Sequence, residues 1–331
     1  MTPVTPIPHG QDNIRPNTCR LTLVVPVFNE AEAIPLFLAE TKAALQGRDD
    51  VALDYVFVND GSTDNTLAVL TSKELGGESL TVIDLSRNFG KEAALTAGLR
   101  AAKGDVVVPI DVDLQDPPAL IIEMISKWRE GYEVVLAKRS NRKSDSAVKR
   151  LSASAFYMCL NSISKTQLPQ NVGDFRLMDR AVVDALNALP ETQRMMKGLF
   201  AWIGFRTATI EYTRPKRSAG QTKFNGWKLW NLGLDGITSF STAPLRIWLY
   251  LGFSIASLSF LYAAWIILRV LLFGIDAPGY ASLMVGVFFF GGLQLMGIGV
   301  IGEYLGRTYI ESKDRPIYII RKTYHSGIND D

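Results

Sequence analysis

Two aspartates separated by one residue, Asp111 and Asp113, follow an apolar segment that ends at Ile110. Pro117 and Pro118 come shortly afterwards. Because proline cannot donate to a sheet ladder and restricts the residue before it, we expect the strand to break into a turn here. In such a turn both carboxylates can converge on one cation, and Mg²⁺ or Mn²⁺ is usually held by one or two carboxylates and shared with a diphosphate. The pattern therefore predicts a divalent-cation site, although a capped strand-to-helix turn would give the same pattern.

Strand and helix patterns alternate from residue 20 to 138. We predict strands at 21–27, 54–59, 80–84, 105–110 and 133–138, and helices at 30–45, from 63, at 91–101 and at 119–130. Repeated strand–helix units predict an α/β fold with a mainly parallel sheet that helices cover. Such sheets bind ligands beyond the carboxyl ends of their strands.

Three further polar segments, at 26–30, 59–66 and 86–91, also follow predicted strands. We therefore expect all four polar turns at one rim of the sheet, where they would form a single site. Individual residues have simpler interpretations. Asn29 and Glu30 fit a helix start, Asp64 fits a turn or cap, and Lys91 fits a solvated helix position.

The composition limits the possible partners. The chain has 331 residues and a formal net charge of +2, so no global field favours nucleic acid, and none is expected as a partner. Basic residues cluster near 138–150 and 214–223, which favours anion binding at least as much as a solvated face. The two cysteines, Cys19 and Cys159, predict neither a disulfide framework nor a zinc site. Residues 1–19 are expected to form a flexible tail.

Two long apolar stretches, at about 247–273 and 280–301, lie near the C-terminus. Each has the roughly 20 mainly apolar residues that cross a bilayer. We therefore predict a transmembrane hairpin over 246–306 and a tail over 307–331, with a buried helical hairpin as the alternative. The link between the stretches has no Lys or Arg, whereas basic residues flank them outside. By the positive-inside rule, the preceding domain and the tail are cytoplasmic.

Residues 224–245, before the first apolar stretch, carry Trp227, Trp230, Leu234 and Ile237 at helical spacing. The pattern predicts amphipathic helices in the headgroup layer, or a helix packed on the preceding domain. Glycines recur along the second apolar stretch and allow close helix packing within the hairpin or in a homo-oligomer.

Taken together, four motifs resemble those of the inverting family 2 glycosyltransferases of GT-A fold. They are P-V-F-N-E at 26–30, V-N-D-G-S-T-D-N-T at 58–66, S-R-N-F-G-K-E-A-A-L at 86–95 and D-V-D-L-Q-D-P-P at 111–118. The apolar pair and R-x-x-R-x-x-G-x-x-K-F at 214–224 narrow the resemblance to polyisoprenyl-phosphate glycosyltransferases, in particular the bactoprenol glucosyltransferases of O-antigen modification. The similarity spans nearly all of 20–320, including V-G-D-F-R-L-M at 172–178.

The resemblance implies a catalytic domain over 20–223 that binds a UDP-sugar with Mg²⁺ or Mn²⁺. Nucleotide-binding residues would be Pro26, Asn29, Glu30, Asp60, Arg87, Lys91 and Asp111. Asp60 would accept a hydrogen bond from uracil or ribose. Asp111 and Asp113 would hold the cation, with Gln115 as a further oxygen ligand.

The implied acceptor is a polyprenyl phosphate. Its second ionisation lies near pKa ~6, so at neutral pH it needs cationic groups more than a strong base. The candidates for binding it are Arg139, Arg142, Arg214, Arg217 and Lys223, and Arg139 at the end of a predicted strand is best placed. Asp174 would act as a base or orient the acceptor, or would only pair with Arg176. Asp174, Arg139 and Asp113 form the predicted catalytic set, and direct displacement would give a β-linked glucosyl lipid.

Other functions fit parts of the sequence. A processive polysaccharide synthase is disfavoured because no Q-x-x-R-W motif is present. A mannosyl- or aminoarabinosyl-phosphate lipid synthase differs only in its sugar, which the sequence does not determine. A non-catalytic scaffold or flippase is disfavoured because the paired aspartates are present. We expect a multi-pass protein of the inner membrane with a cytoplasmic catalytic domain.

Overall fold

The computed structural model describes residues 15–72, 79–140, 172–213, 243–273 and 279–326. Four of the predicted acceptor-binding residues lie outside these ranges, as do most of the predicted segments 1–19 and 224–245. These four are Arg142, Arg214, Arg217 and Lys223. The described residues fall into two compact units. The first comprises those between 15 and 140 together with 172–213 and 316–326, and the second comprises those between 243 and 315.

The described part of the first unit contains an eight-stranded sheet. Its strands are β1 (Cys19–Val27), β2 (Val51–Asn59), β3 (Leu80–Leu85), β4 (Val106–Pro109), β5 (Val134–Arg139), β6 (Val172–Asp179), β7 (Thr207–Tyr212) and β8 (Ile320–Ser326). Their spatial order is β7-β5-β6-β4-β1-β2-β3-β8. Strand β1 is parallel to β2 and β4, β2 is parallel to β3, and β5 is parallel to β7. Strands β6 and β8 are antiparallel to their neighbours. The predicted α/β fold with a mainly parallel sheet is confirmed.

Helices of the first unit connect and cover these strands. They are α1 (Ala33–Leu45), α2 (Thr66–Leu70), α3 (Lys91–Ala101), α4 (Leu120–Arg129), α5 (Arg180–Ala188) and α6 (Met196–Trp202). The sequence period explains the packing of α4, in which Ile121, Met124, Ile125 and Trp128 recur at helical spacing and are buried. Helix α3 lies so close to the sheet that a Cβ atom at Gly98 would be 2.3 Å from a Val24 methyl carbon. This close packing holds α3 against the sheet.

The five predicted strands and four predicted helices all occur, with bounds that shift by a few residues. Strand β8 was not predicted and lies within the segment expected to be a tail. It pairs with β3 along one edge of the sheet. Arg321 of β8 also donates to buried Asp84 of β3 at 3.3 Å. The last described residues of the chain therefore belong to the same sheet as the polar rim.

The second unit contains two long helices, α7 (Ala243–Phe273) and α8 (Tyr280–Ser312). Many of their large apolar side chains are exposed, among them Leu271 and Phe273. Gly297 of α8 faces the Trp248 ring, which would lie 3.4 Å from a Cβ atom at that position. Among the described residues, no helix combines the length and the hydropathy that a membrane crossing requires. The structure confirms two long helices but does not support the predicted transmembrane pair over 246–306.

Candidate active site

A cavity of about 390 Å³ lies at the carboxyl ends of the central parallel strands. It is lined by Pro26, Val27, Phe28, Glu30, Asp60, Asn88, Gly90, Lys91, Ala94, Asp111, Val112 and Asp113. All of them except Ala94 of α3 come from the four polar segments that the sequence places after β1, β2, β3 and β4. The structure therefore brings the four segments together, at the edge of the sheet where α/β proteins bind ligands.

Asp60 fixes the turn that follows β3. Its two carboxylate oxygens accept hydrogen bonds from the backbone N–H groups of Phe89 at 2.7 Å and Gly90 at 3.0 Å. The turn packs against Gly61, where a Cβ atom would lie 2.4 Å from the Arg87 carbonyl carbon, so only glycine fits. Burial raises the pKa of Asp60, although the two amides act in the opposite direction. Asp60 lines the cavity, and its contact with uracil or ribose stays a prediction.

Asn29 connects the turns that follow β1 and β2. Its side-chain oxygen accepts from the backbone N–H of Thr63 at 2.8 Å, and its own N–H donates to the Ser62 hydroxyl at 3.0 Å. Asn29 adopts a φ of 56°, in the left-handed region that asparagine tolerates. Neither Asn29 nor Arg87 is among the residues that line the cavity. The Arg87 guanidinium instead lies 4.1 Å from the centre of the Phe89 ring.

Lys91 joins two of the predicted functional carboxylates. As the first residue of α3, it places its ammonium 2.7 Å from Asp111 and 3.0 Å from Asp174. Removal from water lowers the pKa of Lys91, but the two carboxylates outweigh this effect and raise it. Burial acts to raise the pKa of Asp174, and Lys91 reverses this, so that the pKa is lowered. Asp174 is therefore an ionised partner of Lys91.

The turn after β4 has the break that the sequence predicts. Leu114 has a φ of 53°, and the Asp113 carboxylate accepts from the backbone N–H of Gln115 at 3.2 Å. Gln115 is only 3% exposed and is not among the residues that line the cavity. Its predicted role as a cation ligand therefore finds no support in its position.

The donor set at this turn fits a divalent cation that is shared with a ligand. Asp111 and Asp113 both line the cavity. Burial raises the pKa of nearby Glu30, and the negative charges of Asp113 and Asp111 raise it further. A cation would relieve this repulsion. The part of the chain that the structure describes has no group of three acidic, histidine or cysteine side chains arranged for a metal. Two carboxylates, with the remaining positions left to phosphate and water, are what Mg²⁺ commonly uses.

Arg139 is held by two residues that the sequence did not indicate, Asp116 and Tyr212. The Tyr212 hydroxyl donates to buried Asp116 and accepts from Arg139 Nε at 3.2 Å. A second guanidinium nitrogen of Arg139 lies 3.8 Å from Asp116. Burial acts to lower the pKa of Arg139, but Tyr212 and the carboxylates of Asp116 and Asp111 raise it. A Cβ atom at Gly173, next to Asp174, would lie 3.3 Å from Arg139, so this cation is close to the Asp174 turn.

Asp84 and Arg321 form a second pair that sequence reasoning missed, and they link β3 to β8 next to the polar rim. Asp84 is 1% exposed and accepts from the Asn59 side-chain amide at 2.7 Å as well as from Arg321. An aspartate inside the apolar strand L-T-V-I-D-L was the available signal for Asp84. No sequence pattern identified Arg321 as its partner.

Known proteins resemble this chain over most of its length. Residues 22–186 match the family described as Glycosyl transferase family 2. The SfII prophage-derived bactoprenol glucosyl transferase of Shigella flexneri is 52% identical over 308 residues, which cover 93% of this chain and 99% of that protein. The prophage bactoprenol glucosyl transferase homolog of Escherichia coli K12 is 51% identical over 303 residues, covering 92% and 99%.

A solved structure, the mannosyltransferase from Pyrobaculum calidifontis in complex with GDP-Man and Mn²⁺, is 21% identical with a TM-score of 0.45. The match covers 87% of each chain. The family match and the identity to the two bactoprenol relatives over nearly the whole chain are decisive. The chain belongs to the family 2 glycosyltransferases and is an enzyme that transfers glycosyl groups.

Proposed function

We propose that this enzyme transfers glucose from UDP-glucose to a polyprenyl phosphate, with inversion of the anomeric carbon, and so makes a lipid-linked sugar for glycan or O-antigen modification. Two relatives are about half identical to this chain over nearly its whole length. One is named a bactoprenol glucosyl transferase and the other a homolog of that enzyme. The observation that carries the proposal is the ion-pair cluster of Lys91, Asp111 and Asp174. It joins the carboxylate expected at the donor diphosphate to the carboxylate expected at the acceptor.

The donor would bind in the cavity at the rim. Asp111 and Asp113 would hold Mg²⁺ or Mn²⁺, which when bound would neutralise the negative charge that develops on the departing diphosphate. Lys91 and the positive end of the α3 dipole add to the positive potential for that anion.

We propose that Asp174 orients the acceptor rather than removing a proton from it. Lys91 stabilises the ionised carboxylate and keeps its pKa low, which makes Asp174 a weak base. A lipid monophosphate has lost most of its second proton at neutral pH and is already a nucleophile. Its charge requires a cation, and Arg139 is held beside the Asp174 turn by Tyr212 and Asp116.

We also propose that the enzyme works at the cytoplasmic face of the inner membrane, because a polyprenyl chain remains in the bilayer. The exposed apolar side chains of α7 and α8 would contact lipid. The segment that contains these helices lies between β7 and β8, and both strands belong to one sheet. This connectivity requires an even number of crossings or none. Association into a homo-oligomer stays a prediction.

The test uses the full chain in detergent with undecaprenyl phosphate, Mg²⁺ or Mn²⁺, and a panel of labelled UDP- and GDP-sugars. We expect labelled lipid from UDP-glucose alone. Labelled lipid from a different nucleotide sugar would replace glucose in the proposal and retain the acceptor. No labelled lipid from any donor, with protein that binds UDP, would refute transfer to a polyprenyl phosphate.

A matched pair of variants separates catalysis from scaffolding. Asp113→Asn should abolish metal-dependent transfer, because one of the two cavity carboxylates loses its charge. Asp184→Asn removes an exposed carboxylate of α5 that forms an ion pair with Arg180 at 3.0 Å, far from the cavity lining in sequence, and it should leave transfer unchanged. Equal activity of the two variants would contradict the assigned site.

A further inference from the structure

The position of Lys91 has a consequence for the order in which ligands bind. Its ammonium lies 2.7 Å from Asp111, and both side chains line the cavity. A divalent cation at Asp111 would therefore approach a carboxylate that already has a positive partner within contact distance. The ammonium also lies 2.8 Å from the second Asp111 oxygen, so it occupies the position from which a cation would contact both oxygens. A cation that binds there is repelled by Lys91 until the ammonium withdraws.

Lys91 can move because its charge is at the end of a flexible four-carbon stem and is partly solvated. Its side chain is 46% exposed, and that of Asp111 is 36% exposed. Asp174 is less exposed, at 22%, and keeps the ammonium close to the cavity even when Asp111 is released. A diphosphate in the cavity would give the displaced ammonium a new anion within reach.

We propose that Lys91 is an internal counter-ion that makes the binding of the divalent cation depend on the nucleoside diphosphate. Without the diphosphate, Lys91 neutralises Asp111 and competes with the cation. When the diphosphate is bound, Lys91 contacts it and leaves Asp111 to the cation. The two ligands then bind cooperatively, and by linkage each increases the affinity for the other by the same factor. This inference rests on the proposed function only in taking a nucleoside diphosphate and a divalent cation as ligands.

The experiment measures binding without turnover. Free Mn²⁺ is quantified by electron paramagnetic resonance during titration of the full-length protein, with and without UDP. The variants are Lys91→Met, which keeps the length of the side chain and removes its charge, and Lys91→Arg, which keeps the charge. Lys127→Met removes a lysine that pairs with Glu130 on the surface of α4, and serves as the matched control.

When UDP is absent, we expect Lys91→Met to bind Mn²⁺ about 3- to 10-fold more tightly than the natural protein. The increase is modest because solvent screens a partly exposed ion pair. UDP should then increase the Mn²⁺ affinity by a smaller factor in Lys91→Met. Lys91→Arg and Lys127→Met should bind Mn²⁺ alone like the natural protein.

Unchanged or weaker Mn²⁺ binding by Lys91→Met in the absence of UDP would overturn the inference. If that variant does not fold, Lys91→Gln, which is also uncharged, replaces it in the same titration. Failure of the proposed function gives a different result, because no UDP binding or no lipid product would be seen with the natural protein while the titration with Mn²⁺ alone still reports on Lys91.

Discussion

Replacing Tyr212 with phenylalanine tests whether its hydroxyl holds Arg139 in place. The change removes one hydrogen bond to the carboxylate of Asp116, which is 4% exposed, and one acceptor for Arg139. The aromatic ring stays, and so does its edge-to-face contact with Phe175 at 6.5 Å. The variant therefore isolates the hydroxyl.

The magnitude follows from the burial of Asp116. A hydrogen bond to a charged group is worth about 1.5–3 kcal/mol. Arg139 already lies 3.8 Å from Asp116 and can move to replace part of the loss, so we expect the free energy of unfolding to fall by about 2 kcal/mol. For a domain of this size the Tm should fall by about 4–8 °C.

The assay combines thermal unfolding of the full chain with initial rates against lipid phosphate. Because Arg139 loses its anchor, we expect the KM for the lipid phosphate to rise several-fold while the affinity for UDP is unchanged. Tyr132→Phe is the control, since the Tyr132 ring lies beside Arg206 and its hydroxyl has no hydrogen bond within the described residues. A Tm within about 1 °C of that of the natural protein, together with an unchanged KM for the lipid phosphate, would refute this reasoning.

Three further predictions concern the framework of the site. Gly98→Ala should lower the free energy of unfolding by about 1–2 kcal/mol, because a methyl 2.3 Å from Val24 costs more than the better helix propensity returns, and adding Val24→Ala should restore the Tm. Asp60→Asn tests the pKa that burial raises above 3.8. A carboxyl group whose pKa is raised by folding stabilises the fold at pH values below its unfolded-state pKa and loses this contribution as the pH rises through its folded-state pKa. In denaturant titrations, the free energy of unfolding of the natural protein minus that of the variant should therefore fall over this pH range. A chain that ends at residue 315 lacks β8 and should associate on size exclusion through the exposed edge of β3, whereas a chain that ends at 326 should not.

The same truncation argument applies to the helices α7 and α8. Ending the chain before them would also remove β8, so loss of activity in such a protein would not report on membrane contact alone. An internal deletion that retains residues 316–326 is the cleaner design, because β8 can still pair with β3.

Local sequence signals were sufficient for the rim of the site. Apolar runs that end in polar turns located β1 to β4 and α3, and the prolines after Asp113 correctly indicated a turn, which Leu114 completes with its positive φ. The family resemblance had also singled out Lys91 and Asp174 as candidate site residues. Their contact could not be predicted, because it joins residues far apart in the chain through the antiparallel pairing of β6 beside β4.

Strands β6, β7 and β8 were not predicted, and the reason is physical for the two that lie at the edges of the sheet. Strand β8 reads I-R-K-T-Y-H-S, with no apolar run, because it lies at an edge and buries little. Its hydrogen bonds to β3 stabilise it, and those depend on a partner more than 200 positions earlier. Tyr212 likewise acquires its role only when β7 is placed beside β5.

The pairing of β3 with β8 also determines when the sheet can be completed during synthesis of the protein. Asp84 and Arg321 are 237 positions apart, so at common translation rates the edge of β3 exists for roughly 10–50 s before its partner is made. Within that interval the ribosome produces both long apolar helices. The nascent chain therefore carries an open strand edge and newly made apolar segments at the same time, a combination that favours aggregation. The sheet that holds the polar rim is therefore completed only after the whole helical segment has been translated.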